Sequence, residues 1–122
     1  MDIRGLALIG SHARGEARPE SDIDFMALAL DPKTFEMDIA WPKAIAWPGM
    51  RIVKWEDERY SVVWSRRLWF EPSCEVELSF GTLSWAALNP IDRGTRRVVL
   101  DAFRVLYDPD GLMTRLWAEC QQ

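Results

Sequence analysis

The residues with the most chemistry in this chain are two aspartates, Asp22 and Asp24, which flank one isoleucine in Ser21-Asp22-Ile23-Asp24. Apolar runs at 6–9 and 25–30 bracket them, and the second run puts both aspartates on a strand. Strand side chains alternate faces, so the two carboxylates point the same way while Ile23 turns to the core. Two like charges held that close are costly unless a positive charge lies between them, and a hard divalent cation that prefers oxygen ligands answers that need. Separated from Asp22 by ten residues, Gly10-Ser11 marks a strand-to-helix turn whose free N–H groups and hydroxyl suit a phosphate. The two features outline a metal site beside a phosphate cradle.

A second acidic pair lies in 74–81. This stretch reads as a strand with Val76, Leu78 and Phe80 on one face and Glu75, Glu77 and Ser79 on the other. On an edge strand such glutamates would simply face water, whereas on a central strand they need a reason.

Gly10-Ser11, ten residues, then Asp22-Ile23-Asp24 resembles the signature of the nucleotidyltransferase superfamily. That group includes polymerase beta, the aminoglycoside adenylyltransferases and the minimal nucleotidyltransferases. The fill agrees too, in Gly10-Ser-x-Ala-Arg-Gly15 and Ser21-Asp-Ile-Asp24, and the ending at 105–112 is similar to the closing segment of many bacterial members. Residues 31–72 carry no such match. The resemblance implies an α/β (α+β) fold, a mixed twisted sheet with helices mainly on one side. It further implies a two-metal Mg²⁺ site and transfer of AMP from ATP to a hydroxyl. Asp22 and Asp24 would bind the metal, and Gly10, Ser11, Arg14 and Ser21 would contact the nucleotide. A third carboxylate from a neighbouring strand would serve as general base and metal ligand. Glu77 is the choice for that role and Glu75 the fallback, although many relatives carry Asp there. His12 occupies a position that the superfamily pattern leaves variable and reads as part of a solvated helical turn.

The chain has 122 residues and reads as one domain, 1–122. Its net charge of -4 argues against a general polyanion-binding surface, so nucleic acid is not the expected substrate. Cys74 and Cys120 lack zinc or redox spacing and read as free thiols in a reducing compartment. The first residues lack the build of a signal peptide, and no apolar run approaches the ~20 residues of a membrane span, so a cytoplasmic protein with no membrane partner is expected.

Local signals set the remaining elements. A strand at 5–9 precedes a helix at 11–17, with Ser11 as N-cap and 18–21 as the closing loop. The spacing allows a short helix within 35–45 that Pro42 interrupts. Strands at 51–55 and 60–64 form a hairpin around 56–59. A helix at 93–101, a strand at 103–107 and a helix at 112–120 complete the chain, with Asp92, Asp108 and Asp110 as caps and turn residues. Seven tryptophans are many for a core this size. Trp41, Trp47, Trp55, Trp64 and Trp69 are therefore expected to form, in part, an exposed patch for a second copy of the chain or a protein partner.

Three functions compete. The first is a minimal nucleotidyltransferase that places AMP on a protein partner, as the antitoxin half of a pair with a HEPN-domain toxin does in proteins this one resembles. The second is a small-molecule adenylyltransferase of the aminoglycoside-modifying kind. The third is a non-catalytic nucleotide- or partner-binding module, favoured if Glu77 points away from the aspartates.

Overall fold

The computed structural model describes residues 2–19, 21–71 and 74–122. The apolar runs at the front of the chain form β1 (Ile3–Ile9) and β2 (Ile23–Ala29), paired antiparallel so that Ile9 lies opposite Asp24. Between them stands α1 (Gly10–Arg14). It is shorter than the expected 11–17 because Gly15 turns left-handed, with φ of 75°, and its N–H returns to the His12 carbonyl. Ile9 occupies the N-cap position, so Ser11 lies inside the first turn rather than capping it. In the loop 18–21, Glu20 lies outside the described residues.

The chain continues through α2 (Pro32–Met37), α3 (Trp41–Ala44), β3 (Arg51–Tyr60), β4 (Val63–Glu71) and β5 (Cys74–Gly81). A 3₁₀ turn at Leu83–Ala86 leads to α4 (Arg93–Asp101), β6 (Phe103–Tyr107) and α5 (Leu112–Cys120). The six strands form one mixed sheet in the order β3-β4-β5-β2-β1-β6, with β2 and β5 parallel and the other pairs antiparallel. Alternate residues of β2 enter different cores, as a strand's two faces require. Met26 and Leu28 join Ala7, Val99, Met113 and Leu116 beneath α4 and α5. Ala27 and Ala29 join Phe35, Trp41, Trp64 and Phe80 beneath α2 and α3. The longer helices thus share one side of the sheet, and the short pair closes the other.

Three expectations change. The helix expected within 35–45 is two short helices, with Asp31 capping α2 through the Lys33 N–H and Pro42 sitting in the first turn of α3. The hairpin turn falls at 61–62, where Ser61 has φ of 57°, and not at 56–59. The charged run at 56–59 remains in the strand because β4 meets it with opposite charge. Glu56 lies across from Arg67, and Asp57 from Arg66. The tryptophans also form no common exposed patch. Trp41 and Trp64 are buried, Trp47 and Trp69 are half-buried, and Trp55 alone of the five is exposed, at 40%. The core takes more rings than expected because Trp41, Trp64 and Phe35 all gather around Phe80. Among the described residues no helix is long and apolar enough to cross a membrane.

The expected caps hold. Asp92 accepts the Thr95 N–H at the start of α4. Asp108 accepts the Met113 and Thr114 N–H groups and the Thr114 hydroxyl at the start of α5. Burial works against the Asp108 charge, but these hydrogen bonds outweigh it and hold its carboxyl below the ordinary value. A depressed carboxyl contributes stability above the unfolded value near pH ~4, and that contribution disappears as pH falls through the folded value. Asp108→Asn should therefore cost about 1 kcal/mol at neutral pH. Urea unfolding at pH 7 and at pH 3 checks this, since the gap between parent and variant should shrink at the lower pH.

Candidate active site

One register line crosses the whole sheet. Glu56 on β3 lies opposite Arg67 on β4, Arg67 opposite Glu77 on β5, Glu77 beside Asp24 on β2, and Asp24 opposite Ile9 on β1. Register partners project to the same face, so this line sets Glu77 and Asp24 side by side on strands about 4.8 Å apart. Because β5 lies between β4 and β2, its glutamates are on an interior strand and not on an edge.

The turn after β1 closes on the same spot. Gly10 has φ of 72°, and a Cβ added there would meet Asp24 Oδ2 at 2.7 Å. Only glycine satisfies both the left-handed backbone and the contact. The Gly10-Ser11 turn and the Asp24 carboxylate, fourteen residues apart, are thus adjacent in space because β1 and β2 pair in this register.

Asp22 precedes β2, and its carboxylate is reached from the side by Arg67. One guanidinium nitrogen, Nη1, donates to Asp22 Oδ2 at 2.8 Å and to Glu75 Oε2 at 3.0 Å, while Nη2 donates to Glu77 Oε2 at 2.6 Å. Arg67 therefore joins three of the four acidic residues that the sequence singled out. With its guanidinium among them, no three His, Cys, Asp or Glu side chains of the described residues form a group that could hold a metal ion. Arg67 is the residue that sequence reasoning missed. The signal was there in the tandem Arg66-Arg67, which on a strand must send one cation to each face.

Burial, and after it the charge of Asp22, holds the Asp24 carboxyl above its ordinary value, against the pull of Arg67 and His12. Burial also raises Glu77, which Arg67 opposes and the charges of Asp24 and Glu58 reinforce. Burial works against the charge of Arg67 too, but hydrogen bonds and attraction from Asp22, Glu77 and Glu75 raise its pKa above the ordinary value.

The other nucleotide-site candidates have partners of their own. Arg14 Nη1 donates to Asp101 Oδ2 at 2.6 Å, which ties α1 to the end of α4. The Ser21 hydroxyl accepts the Arg18 N–H, and the Ser21 carbonyl lies 3.4 Å from His12 Nε2. On the other side of Glu77 a cleft of about 400 Å³ opens between the sheet, the β3–β4 turn and the first turn of α4. Tyr60, Val62, Ser79, Trp85 and Thr95 contribute to its walls along with Glu77, and no lysine or arginine does.

The family model for the nucleotidyltransferase domain matches residues 2–62, which takes in β1, the Gly10-Ser11 turn, both aspartates and β3. No curated protein matches the chain.

Proposed function

The chain belongs to the nucleotidyltransferase-domain family, and from that premise we propose that its single domain is a Mg²⁺-dependent adenylyltransferase moving AMP from ATP to a hydroxyl. The observation that carries this reading is the convergence of Gly10, Asp24 and Glu77 at one register line. A carboxylate set beside Asp24 on an interior strand supplies the third acidic group that nucleotidyl transfer needs.

The described side chains form no ready metal group while Arg67 lies among them, but their donor chemistry suits a hard divalent cation, since Asp22, Asp24 and Glu77 offer only carboxylate oxygens and burial makes the Asp24 charge costly as it stands. Magnesium held there would neutralise charge developing on the phosphoryl oxygens. Asp22 and Asp24 would hold it, with Glu77 as the third ligand. The Gly10-Ser11 turn receives the triphosphate, leaving the α-phosphorus toward the carboxylates. Glu77 accepts the acceptor hydroxyl proton as that oxygen bonds to phosphorus, and the bond to the departing pyrophosphate breaks.

The first choice of acceptor is a hydroxyl on a protein partner. A small-molecule acceptor is favoured by one observation, the cleft beside Glu77, whose 400 Å³ lies in the range of small-ligand pockets. After incubation with a cell extract, label from ATP labelled at the α-phosphorus should appear in the protein fraction in the first case and in the small-molecule fraction in the second.

Mg²⁺ with a non-hydrolysable ATP analogue should raise the melting temperature, equivalent to about 2.7 kcal/mol at a hundred times the dissociation constant. Asp22→Asn combined with Asp24→Asn should remove that shift. A double variant that shifts as the parent does would put the nucleotide elsewhere and end this reading.

A further inference from the structure

Arg67 lies among the acidic groups at the point where a divalent ion would be needed. Its partners come from three places, the segment before β2 (Asp22) and two positions of β5 (Glu75 and Glu77). Asp24, on the same face and in the same register line, feels the Arg67 charge but accepts no hydrogen bond from it. The acids are thus divided, with Asp22, Glu75 and Glu77 hydrogen-bonded to the guanidinium and Asp24 outside that set. A divalent ion that takes Asp24 together with Asp22 shares the Asp22 carboxylate with Arg67, which holds one of its oxygens, and two cations in so small a space repel each other.

We propose that Arg67 is a positioning residue, a resident cation that gathers Asp22, Glu75 and Glu77 in the metal-free protein and competes with the divalent ion for Asp22 and Glu77. The proposal rests on the adenylyltransferase reading for the identity of the ion. A purely structural ion pair would behave differently. In that case the carboxylates would lose their placement without Arg67, and metal affinity would stay level or fall. Under competition, removing Arg67 leaves the carboxylates uncompensated, and metal affinity rises. Two of the three Arg67 partners, Asp22 and Glu75, have side chains 41% and 37% exposed, and pairs with such wet partners contribute little to folding, so Arg67→Gln should lose mainly its bond to the 17% exposed Glu77 and remain folded at reduced stability.

The test is calorimetric titration of MnCl₂ alone, without nucleotide, into the parent, Arg67→Gln, Arg67→Lys and the double variant Asp22→Asn with Asp24→Asn. Arg67→Gln should bind Mn²⁺ more tightly by roughly 5- to 150-fold, the usual span of coupling between two ligands. Arg67→Lys keeps the charge and should stay near the parent. In the parent, the Arg67 side-chain N–H signals in a ¹⁵N NMR spectrum should move as MgCl₂ is added. A folded Arg67→Gln that binds Mn²⁺ no better than the parent overturns the proposal. If that variant does not fold, Arg67 signals unmoved at saturating MgCl₂ overturn it instead. Mn²⁺ binding that the double variant abolishes, with no gain in Arg67→Gln, removes only the competition. Absence of Mn²⁺ binding in every form removes the metal reading and the proposal together.

Discussion

Asp24→Asn should abolish nucleotidyl transfer and leave the fold at least as stable as the parent. The substitution keeps the side-chain shape against Gly10 and removes a charge that burial and Asp22 make costly. A carboxyl whose pKa is raised in the folded state contributes its stability below the unfolded value, near pH ~4, and loses it as pH rises through the raised value. The advantage of Asn over Asp should therefore grow between acid and neutral pH. On the catalytic side, loss of a ligand to the charge-neutralising ion removes several kcal/mol of transition-state stabilisation, or roughly 10³-fold in rate. Glu77→Gln should cost less, toward the lower end of the ~10²- to 10⁴-fold that general bases supply. Pyrophosphate release from Mg²⁺-ATP measures the first effect, and urea unfolding at pH 4 and pH 7 the second. Activity within tenfold of the parent would remove Asp24 from the chemistry. A variant less stable than the parent at pH 7 would mean that the buried charge is compensated by something other than Arg67 and His12.

A gain in stability with a loss of activity is the usual mark of a site that breaks local rules for function. Where the chain follows local rules, its sequence was readable. Strand β5, helix α4, strand β6 and helix α5 have the limits read from alternation and caps, since Asp92 and Asp108 sit where those helices begin. The approach of Gly10 to Asp24 was also readable, because a strand, a tight turn and a returning strand leave few alternatives. The β3–β4 hairpin was not. A run of four charged residues carries a turn signal by composition, and only Arg66, nine positions after Asp57, and Arg67, eleven after Glu56, turn it into a strand. Register across strands is a long-range fact, and the same gap hid Arg67, whose role depends on lying opposite Glu77. The tryptophans misled for a related reason, since composition counts rings and cannot show that one phenylalanine gathers three aromatic neighbours.

The largest stability effect should come from the neighbouring arginine. Arg66→Met should destabilise the fold by about 3 kcal/mol, the lower end of the usual cost of breaking a buried ion pair because the Asp57 side chain stays 31% exposed, out of a total near 5–15 kcal/mol. Arg66 is 1% exposed and lies on the face opposite Arg67 and the candidate site. Its Nε and Nη2 donate to the two Asp57 oxygens at 2.8 and 3.1 Å, a bidentate pair that only a guanidinium makes. Nη1 donates to the Asp38 carbonyl and Nη2 also to the Glu36 carbonyl, both at the C-terminal end of α2, where helix carbonyls lack internal partners. The guanidinium carbon lies 4.5 Å from the Trp55 ring, 5.0 Å from Trp64 and 5.4 Å from Trp41, so three indoles surround the charge. Methionine restores much of the volume but leaves the two carbonyls and Asp57 without their donor. Lysine keeps the charge but loses the fork, so Arg66→Lys should fall between methionine and the parent. Urea denaturation at neutral pH measures all three. A loss under 1 kcal/mol for Arg66→Met would show that β4 is held by its apolar neighbours Trp64, Leu68 and Phe70 alone. With the expected loss, adjacent arginines on one strand differ in kind, Arg66 governing whether the sheet and α2 stay joined and Arg67, on the proposal above, governing how tightly the opposite face takes a divalent ion.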